Sequence, residues 1–158
     1  TMSNQYAIPQ VRLALKDDVS NIVDFNISMA LETENITLNK NEITQGVQSV
    51  FDDPHLGRYC IATINDQIVG GLLLTTEWSD WHNKYYWWIQ SVYVSPAYRR
   101  NGVYKILYEF VCNSAQVHGD VYAIRLYVDI NNKIAQQVYK NLGMSKSNYD
   151  MFEEVILK

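Results

Sequence analysis

The sequence is poor in what would mark a disulfide-stapled, membrane-spanning or repetitive protein. Its two cysteines, Cys60 and Cys112, stand far apart without a CxxC spacing. Both lie in apolar segments, so they read as buried free thiols. No apolar run approaches the ~18 residues of a membrane span, and the start carries no signal-peptide pattern. A cytoplasmic location without a membrane partner is therefore expected. Basic charge is also scarce: 13 Lys and Arg face 17 Asp and Glu, for a net charge of −4. That balance argues against nucleic acid as a partner, because a basic face normally supplies most of that affinity. It suits a cationic substrate, or simply solubility. No repeat, low-complexity tract or Pro/Gly/Ser-rich linker interrupts the chain.

Several motifs are missing as well. No GxxxxGK[ST] or GxGxxG occurs, which removes the main support for nucleotide triphosphate and dinucleotide binding. There is no GxSxG, and no cysteine with an evident histidine partner, so covalent catalysis has no support. His55, His82 and His118 are scattered, with no spacing that suggests a metal site; surface or turn positions explain them, and His82 beside Asp80 retains an acid–base alternative.

What is present is a chain of 158 residues, long enough for one domain with a real core. Residues 1–158 are read as a single domain whose first ten residues form a disordered or tag-derived start, with Thr1 ahead of Met2 left by a cleaved tag. The 12 tyrosines and 4 tryptophans suit ligand walls and plain cores alike. Val11 to Leu15 alternates as a first strand, and Asp17 caps a helix with apolar positions Val19, Ile22, Val23 and Ile27. Leu31 to Lys40 reads as irregular, and Lys40 to Phe51 as a second helix ending before Pro54. Tyr59 to Ile64, a turn at Asn65-Asp66, and Ile68 to Thr76 form a hairpin. Tyr85 to Val94 is a long central strand rich in aromatic and β-branched residues. Val103, Ile106, Leu107, Phe110 and Val111 then keep helical spacing. Ala123 to Val128 is a strand, Ile134, Ala135, Val138 and Leu142 mark a helical face, and Tyr149 to Leu157 closes as a strand. The expected class is α/β (α+β), a mixed sheet covered by helices.

The most informative segment joins the central strand to the following helix: Val94-Ser95-Pro96-Ala97-Tyr98-Arg99-Arg100-Asn101-Gly102-Val103-Tyr104. Helix N-termini expose unpaired N–H groups and partial positive charge, which hold phosphates. Gly102 lets a ligand approach the backbone, and Arg99 and Arg100 add charge suited to a pyrophosphate. The alternative is that both arginines are solvated surface charge.

Here the chain resembles the GNAT superfamily of N-acetyltransferases. The family signature Gln/Arg-x-x-Gly-x-Gly/Ala reads Arg99-Arg100-Asn101-Gly102-Val103-Tyr104, after Val94-Ser95-Pro96. The second motif reads Asn132-Lys133-Ile134-Ala135, then Tyr139, then Leu142-Gly143-Met144. The resemblance implies a mostly antiparallel sheet of six to seven strands with about four helices, covering nearly everything from Val11 on. It implies acetyl-CoA as the acyl donor and no metal. Backbone groups of Val92, Tyr93 and Val94 would line the pantetheine arm, with an N–H near Val94 on the oxyanion. Arg99, Arg100, Asn101, Gly102, Val103 and Tyr104 would hold the pyrophosphate. Asn132 would contact the pantetheine or phosphates, and Tyr139 would protonate the leaving thiolate. The cofactor would lie where the central strand and the Ala123 to Val128 strand part. Two positions depart from the pattern. Tyr104 replaces a small residue, and Gln90 stands where many members carry a glutamate, so the usual base is missing.

An alkylammonium must lose a proton before it attacks. Glu77, flanked by aromatics in Thr76-Glu77-Trp78, is the candidate base, against the alternative of an ordinary surface hairpin. A water chain held by Gln90 is another route. Glu32 and Glu34 fall where the family builds its acceptor site. With Trp78, Asp80, Trp81 and Gln90 they suggest a small cationic amine. A peptide amine (a protein N-terminus or lysine), a longer acyl group, and a non-catalytic acyl-CoA-binding regulatory module are the alternatives. A homodimer is allowed.

Overall fold

The computed structural model describes residues 7–157. Residues 1–6 of the start expected to be disordered or tag-derived lie outside the described residues; residues 7–9 carry no helix or strand, and Gln10 already belongs to the first strand. In chain order come β1 (Gln10–Leu13), a short 3-10 turn (Lys16–Asp18), α1 (Val19–Glu34), α2 (Lys40–Asp52), β2 (Arg58–Ile64), β3 (Gln67–Ser79) and β4 (Lys84–Val94). A second 3-10 turn (Pro96–Tyr98), α3 (Val103–His118), β5 (Val121–Arg125) and α4 (Lys133–Asn141) follow. The chain divides into two units, Thr1–Tyr127 and Val128–Lys158.

In the first unit five strands form one sheet in the order β1-β2-β3-β4-β5. All neighbours are antiparallel except β4 and β5, which are parallel. The class is the mixed α/β one expected, with five strands among the described residues rather than six or seven. Tyr149 to Leu157 is the expected strand that is absent. The unit Val128–Lys158 contains α4 and no strand among its described residues, so this segment has no ladder partner there, and its apolar side chains are exposed.

Each sheet face carries its own core. One gathers Cys60, Val69, Leu72, Trp87 and Ile89 against Val103, Leu107 and Val111 of α3. The other packs Tyr59 and Ile61 against Ile22 and Val23 of α1 and Val47 of α2. Burial pushes the Cys60 thiol up to about 11, so it is an inert core group. Asn65 (φ 49°) and Asp66 (φ 64°) are both left-handed, as the two-residue hairpin joining β2 to β3 requires.

Two helix ends differ from expectation. The capping aspartate is Asp18, not Asp17, and its buried carboxylate turns away from α1. It accepts the Leu15 N–H at 2.7 Å and both Arg12 nitrogens at 2.8 and 3.2 Å, riveting β1 to the helix start. Leu31 to Glu34 is helical rather than irregular. Asn35 supplies a left-handed cap (φ 53°), and Ile36 N–H donates to Ala30 O at 3.1 Å.

Candidate active site

The site grows from the way β4 parts from its neighbours. The β4–β5 ladder ends at Trp88 opposite Arg125, while β4 continues to Val94. Within that extension the β3 register slips: Leu73 faces Gln90 but Gly71 faces Tyr93, so Ser91 and Val92 together oppose Leu72. This is a β-bulge, and Ser91 takes the left-handed conformation it needs (φ 54°). The bulge changes the parity of the strand. Before it Tyr86, Trp88 and Gln90 share the α1 side of the sheet, and after it Tyr93 does, with its ring 5.3 Å from Phe25 of α1.

Beyond the bulge, Ser95 N–H donates to Val69 O at 2.8 Å. By antiparallel alternation Tyr93 bonds Gly71, while Val92 and Val94 turn their backbone groups to the edge that β5 leaves open. Of the three expected backbone contacts, those of Val92 and Val94 therefore face the open edge, and that of Tyr93 faces β3. The Val94 carbonyl accepts Arg99 Nε at 2.9 Å.

The loop that follows is tightly built. Arg100 (φ 67°) and Gly102 (φ 77°) are both left-handed, and Asn101 Nδ2 donates to Arg99 O at 3.2 Å between them. The first helical bond of α3 runs from Ile106 N–H to Gly102 O. The N–H groups of Val103, Tyr104 and Lys105 thus belong to the unpaired first turn. A Cβ placed on Gly102 would meet no heavy atom within 4 Å, so the space over the loop is open. Gly70 works in the opposite sense: a Cβ there would come within 2.8 Å of Tyr93 O and 3.3 Å of Val103, so its bare backbone lets α3 seat against β3 and β4. The bulky Tyr104 is accommodated along α3, stacked beside Tyr108. Open space, left-handed backbone and an unpaired helix start fit a diphosphate.

Arg99 does not stand alone for such a ligand. Its Nη2 donates to Glu32 Oε2 at 2.6 Å, and its guanidinium lies 5.4 Å from the Tyr93 ring centre. Tyr93 OH donates to Glu32 Oε1 at 3.1 Å. The Arg99 hydrogen bond, aided by that of Tyr93, holds the Glu32 carboxyl below its usual range. Burial, with the bond to Glu32, pushes the Tyr93 phenol up. Glu32 is therefore brought to the loop. Arg100 and Glu34 are both exposed.

A second constellation occupies the α1 side at the fork. Trp88 Nε1 donates to Glu77 Oε1 at 2.8 Å, and Arg125 Nη1 lies 3.5 Å from Glu77 Oε2. The Arg125 guanidinium sits 3.4 Å over the Tyr86 ring centre and 5.9 Å from that of Trp88. Gln90 Nε2 donates to Thr75 Oγ1 at 2.6 Å, and the Tyr127 ring lies 5.9 Å from Trp88. Sequence reasoning found Glu77 and Gln90 but missed Arg125, Trp88 and Tyr86. The only linear signal was a charge closing the apolar run Ala123-Ile124. Trp78 is not part of this group: strand alternation turns it to the opposite face from Glu77, edge-on to Tyr85 at 4.9 Å. Trp81 is 86% exposed beyond the end of β3, and Asp80 is exposed beside it. His82 bonds Ser79 Oγ at 3.0 Å and stacks on Tyr122, and His118 meets Asp120 after α3. Among the described residues no group of three or more His, Cys, Asp or Glu is placed to hold a metal ion, and no helix is long and apolar enough to cross a membrane.

The unit Val128–Lys158 carries the other two predicted residues. Asn132 caps α4, its Oδ1 accepting Ala135 N–H at 3.1 Å. Tyr139 lies two turns on, half-buried, and burial pushes its phenol up. Gly143 (φ 98°) ends the helix, and Met144 N–H donates to Tyr139 O at 3.0 Å.

The model of the acetyltransferase (GNAT) family matches residues 26–144. A possible acetyltransferase from Clostridium difficile 630 is 35% identical, with a TM-score of 0.89 over 96% of this chain and 99% of that one. A predicted acetyltransferase from Clostridium acetobutylicum, solved with acetyl-CoA, shares the fold at 22% identity and a TM-score of 0.75 over 93% and 96% of the two chains. So does a ribosomal-protein-alanine N-acetyltransferase from Brucella melitensis biovar Abortus 2308, at 11% identity and a TM-score of 0.77 over 94% and 99%. No curated protein matches by sequence.

Proposed function

The chain belongs to the acetyltransferase (GNAT) family, and from that premise we propose that it acetylates a primary amine, with acetyl-CoA as donor, by direct attack in a ternary complex. The observation that carries this reading is the fork: β4 outruns β5 and leads into a loop that is open over Gly102 and starts a helix. The family match runs across both units, which supports reading residues 1–158 as one domain.

Acetyl-CoA supplies an activated acetyl group: the amine nitrogen forms the new C–N bond as the C–S bond breaks, the sulfur leaves as a thiol with a proton from Tyr139, and the protons lost by the amine pass to Glu77 and, through solvent, restore the Tyr139 phenol. The chain's own residues do the rest. The open-edge groups of Val92 and the N–H of Val94 hold the pantetheine arm as a further strand would, and that N–H stabilises negative charge on the acyl oxygen. The loop from Arg99 to Tyr104 holds the pyrophosphate through backbone N–H groups, with Arg100 adding charge. Asn132 contacts the coenzyme. Tyr139, kept protonated by burial, hands its proton to the leaving sulfur. From a phenol above ~10 to a thiol near ~8.5 that transfer is uphill by at least about 2 kcal/mol, which a turnover barrier accommodates. The acceptor is small and presents its ammonium to Glu77, which takes the proton directly or through a water held by Gln90.

Calorimetric titration with acetyl-CoA, coenzyme A and adenosine triphosphate tests the donor site. Micromolar binding of both coenzymes with little response to the triphosphate is expected. Absence of coenzyme binding would remove the proposal.

A further inference from the structure

Resting on the function proposed above, we infer that the acceptor is a zwitterion of the amino-acid class, a primary amine bearing a carboxylate a few bonds away, with Arg125 taking the carboxylate and Glu77 the ammonium. Arg125 is the last residue of β5 and pairs with Trp88, so it stands where the strands part. A thioester lying along the open edge of β4 would reach that point. A lone cation binder would need no arginine there, since a fixed positive charge repels a second cation.

The geometry suits a carboxylate. The guanidinium is stacked 3.4 Å over the Tyr86 ring, which covers one face and fixes the plane of its N–H donors, the geometry that matches a carboxylate. Its pair with Glu77 is long, 3.5 Å, and that carboxylate is nearly half exposed. Such a pair contributes little to stability, so it opens readily. A zwitterion entering between Arg125 and Glu77 offers each an oppositely charged hydrogen-bond partner in place of their long mutual contact, without adding net charge. Glu77 remains anchored meanwhile by Trp88 Nε1 at 2.8 Å. The rings of Trp88 and Tyr127, 5.9 Å apart, add an apolar wall for the acceptor's side chain.

Matched pairs of acceptors test this: phenylalanine against phenethylamine, arginine against agmatine, lysine against cadaverine. The readout is release of the coenzyme thiol from acetyl-CoA by the full chain, with calorimetric binding of each compound in the presence of coenzyme A as a second measure. The expectation is a carboxylate preference of about 10-fold or more in kcat/KM or in affinity. Arg125→Gln should bring that ratio close to one, chiefly through KM, and Arg125→Glu should invert it in favour of the diamine. Arg125→Lys should keep part of it, because the charge remains and the planar fork is lost. Coenzyme A affinity of each variant reports whether the fold survived. A parent protein that uses or binds the decarboxylated partner equally well overturns the inference, as does one that binds coenzyme A yet neither binds nor acetylates any member of the pairs. Retention of the preference in Arg125→Gln also overturns it. Failure to bind coenzyme A at all overturns the underlying transferase reading instead.

Discussion

Arg99 and Glu32 lie 67 residues apart in the chain and meet at 2.6 Å, guanidinium on carboxylate, between the loop before α3 and the last turn of α1. The contact joins two residues assigned separate tasks by sequence, one for the cofactor phosphates and one for the acceptor. Arg99 also holds the Val94 carbonyl, so a single side chain links α1, the end of β4 and the loop before α3. Glu32 is thereby a tether for the loop, and its negative charge faces the place proposed for a polyanion.

Glu32→Gln should therefore tighten coenzyme A binding. Removing the carboxylate takes away repulsion and releases Arg99; partly exposed pairs of this kind contribute up to about 1 kcal/mol, so the gain should be up to about fivefold at low salt. Arg99→Ala should weaken binding. Calorimetry at two ionic strengths measures both, and the two differences should shrink as salt rises.

Gly102 offers a direct probe of the cradle. Its left-handed φ is tolerated by Asn and Asp better than by other side chains, and the space above it is open, so both substitutions should fold. Gly102→Asn should weaken coenzyme A by roughly 10-fold through bulk, and Gly102→Asp further through charge. Unaltered affinity in both variants would remove the phosphate assignment.

Tyr139→Phe should lower kcat by about 100-fold, within the range of general acid catalysis, while coenzyme A affinity stays put. Because burial raises the phenol, the parent's rate should fall on the alkaline side only above ~10, and that limb should vanish in the variant. Single-turnover rates across pH decide the matter.

The Asp18 rivet should appear in stability. Arg12's hydrogen bonds, with the Leu15 N–H, hold its carboxyl below the usual carboxylate range. A depressed folded value means that the stabilisation is complete above the unfolded value, ~3.9, and is lost as pH falls through the folded one. Asp18→Ala should cost about 2 kcal/mol at neutral pH, with a smaller deficit in acid. Urea denaturation at pH 7 and pH 3 checks both values.

Ser91 carries the bulge with a positive φ. Ser91→Gly should be tolerated, whereas Ser91→Val places a β-branched residue in that region and should cost about 1–3 kcal/mol. Coenzyme A affinity should fall with it if the bulge sets the open edge of β4.

Much of this molecule is legible along the chain. The helix opening at Val103 follows from apolar periodicity, the one from Lys40 is bounded by Pro54, and the β2–β3 hairpin follows from alternation around Asn65-Asp66. Element ends were less legible. Asn35 extends α1 through a left-handed cap, and Asp18 rather than Asp17 marks its start, because each depends on where one side chain or one φ falls. Trp78 and Glu77 illustrate the limit at the site. Neighbours in sequence, they face opposite sides of the sheet, and only register says which side matters.

By itself, then, the sequence determined the class of fold, the strand–loop–helix carrying Arg99 to Tyr104, and the second motif from Asn132 to Tyr139. Those features are local, set by side-chain period and by glycine at one backbone turn. Tertiary structure decided which distant residues meet: Glu32 with Arg99, Glu77 with Arg125 and Trp88, and the bulge at Ser91 that turns Tyr93 toward α1. The reason is physical. Strand pairing and helix packing bring together groups that lie far apart along the chain, and a one-residue slip in register would turn strand residues such as Glu77, Trp88 or Arg125 to the other face.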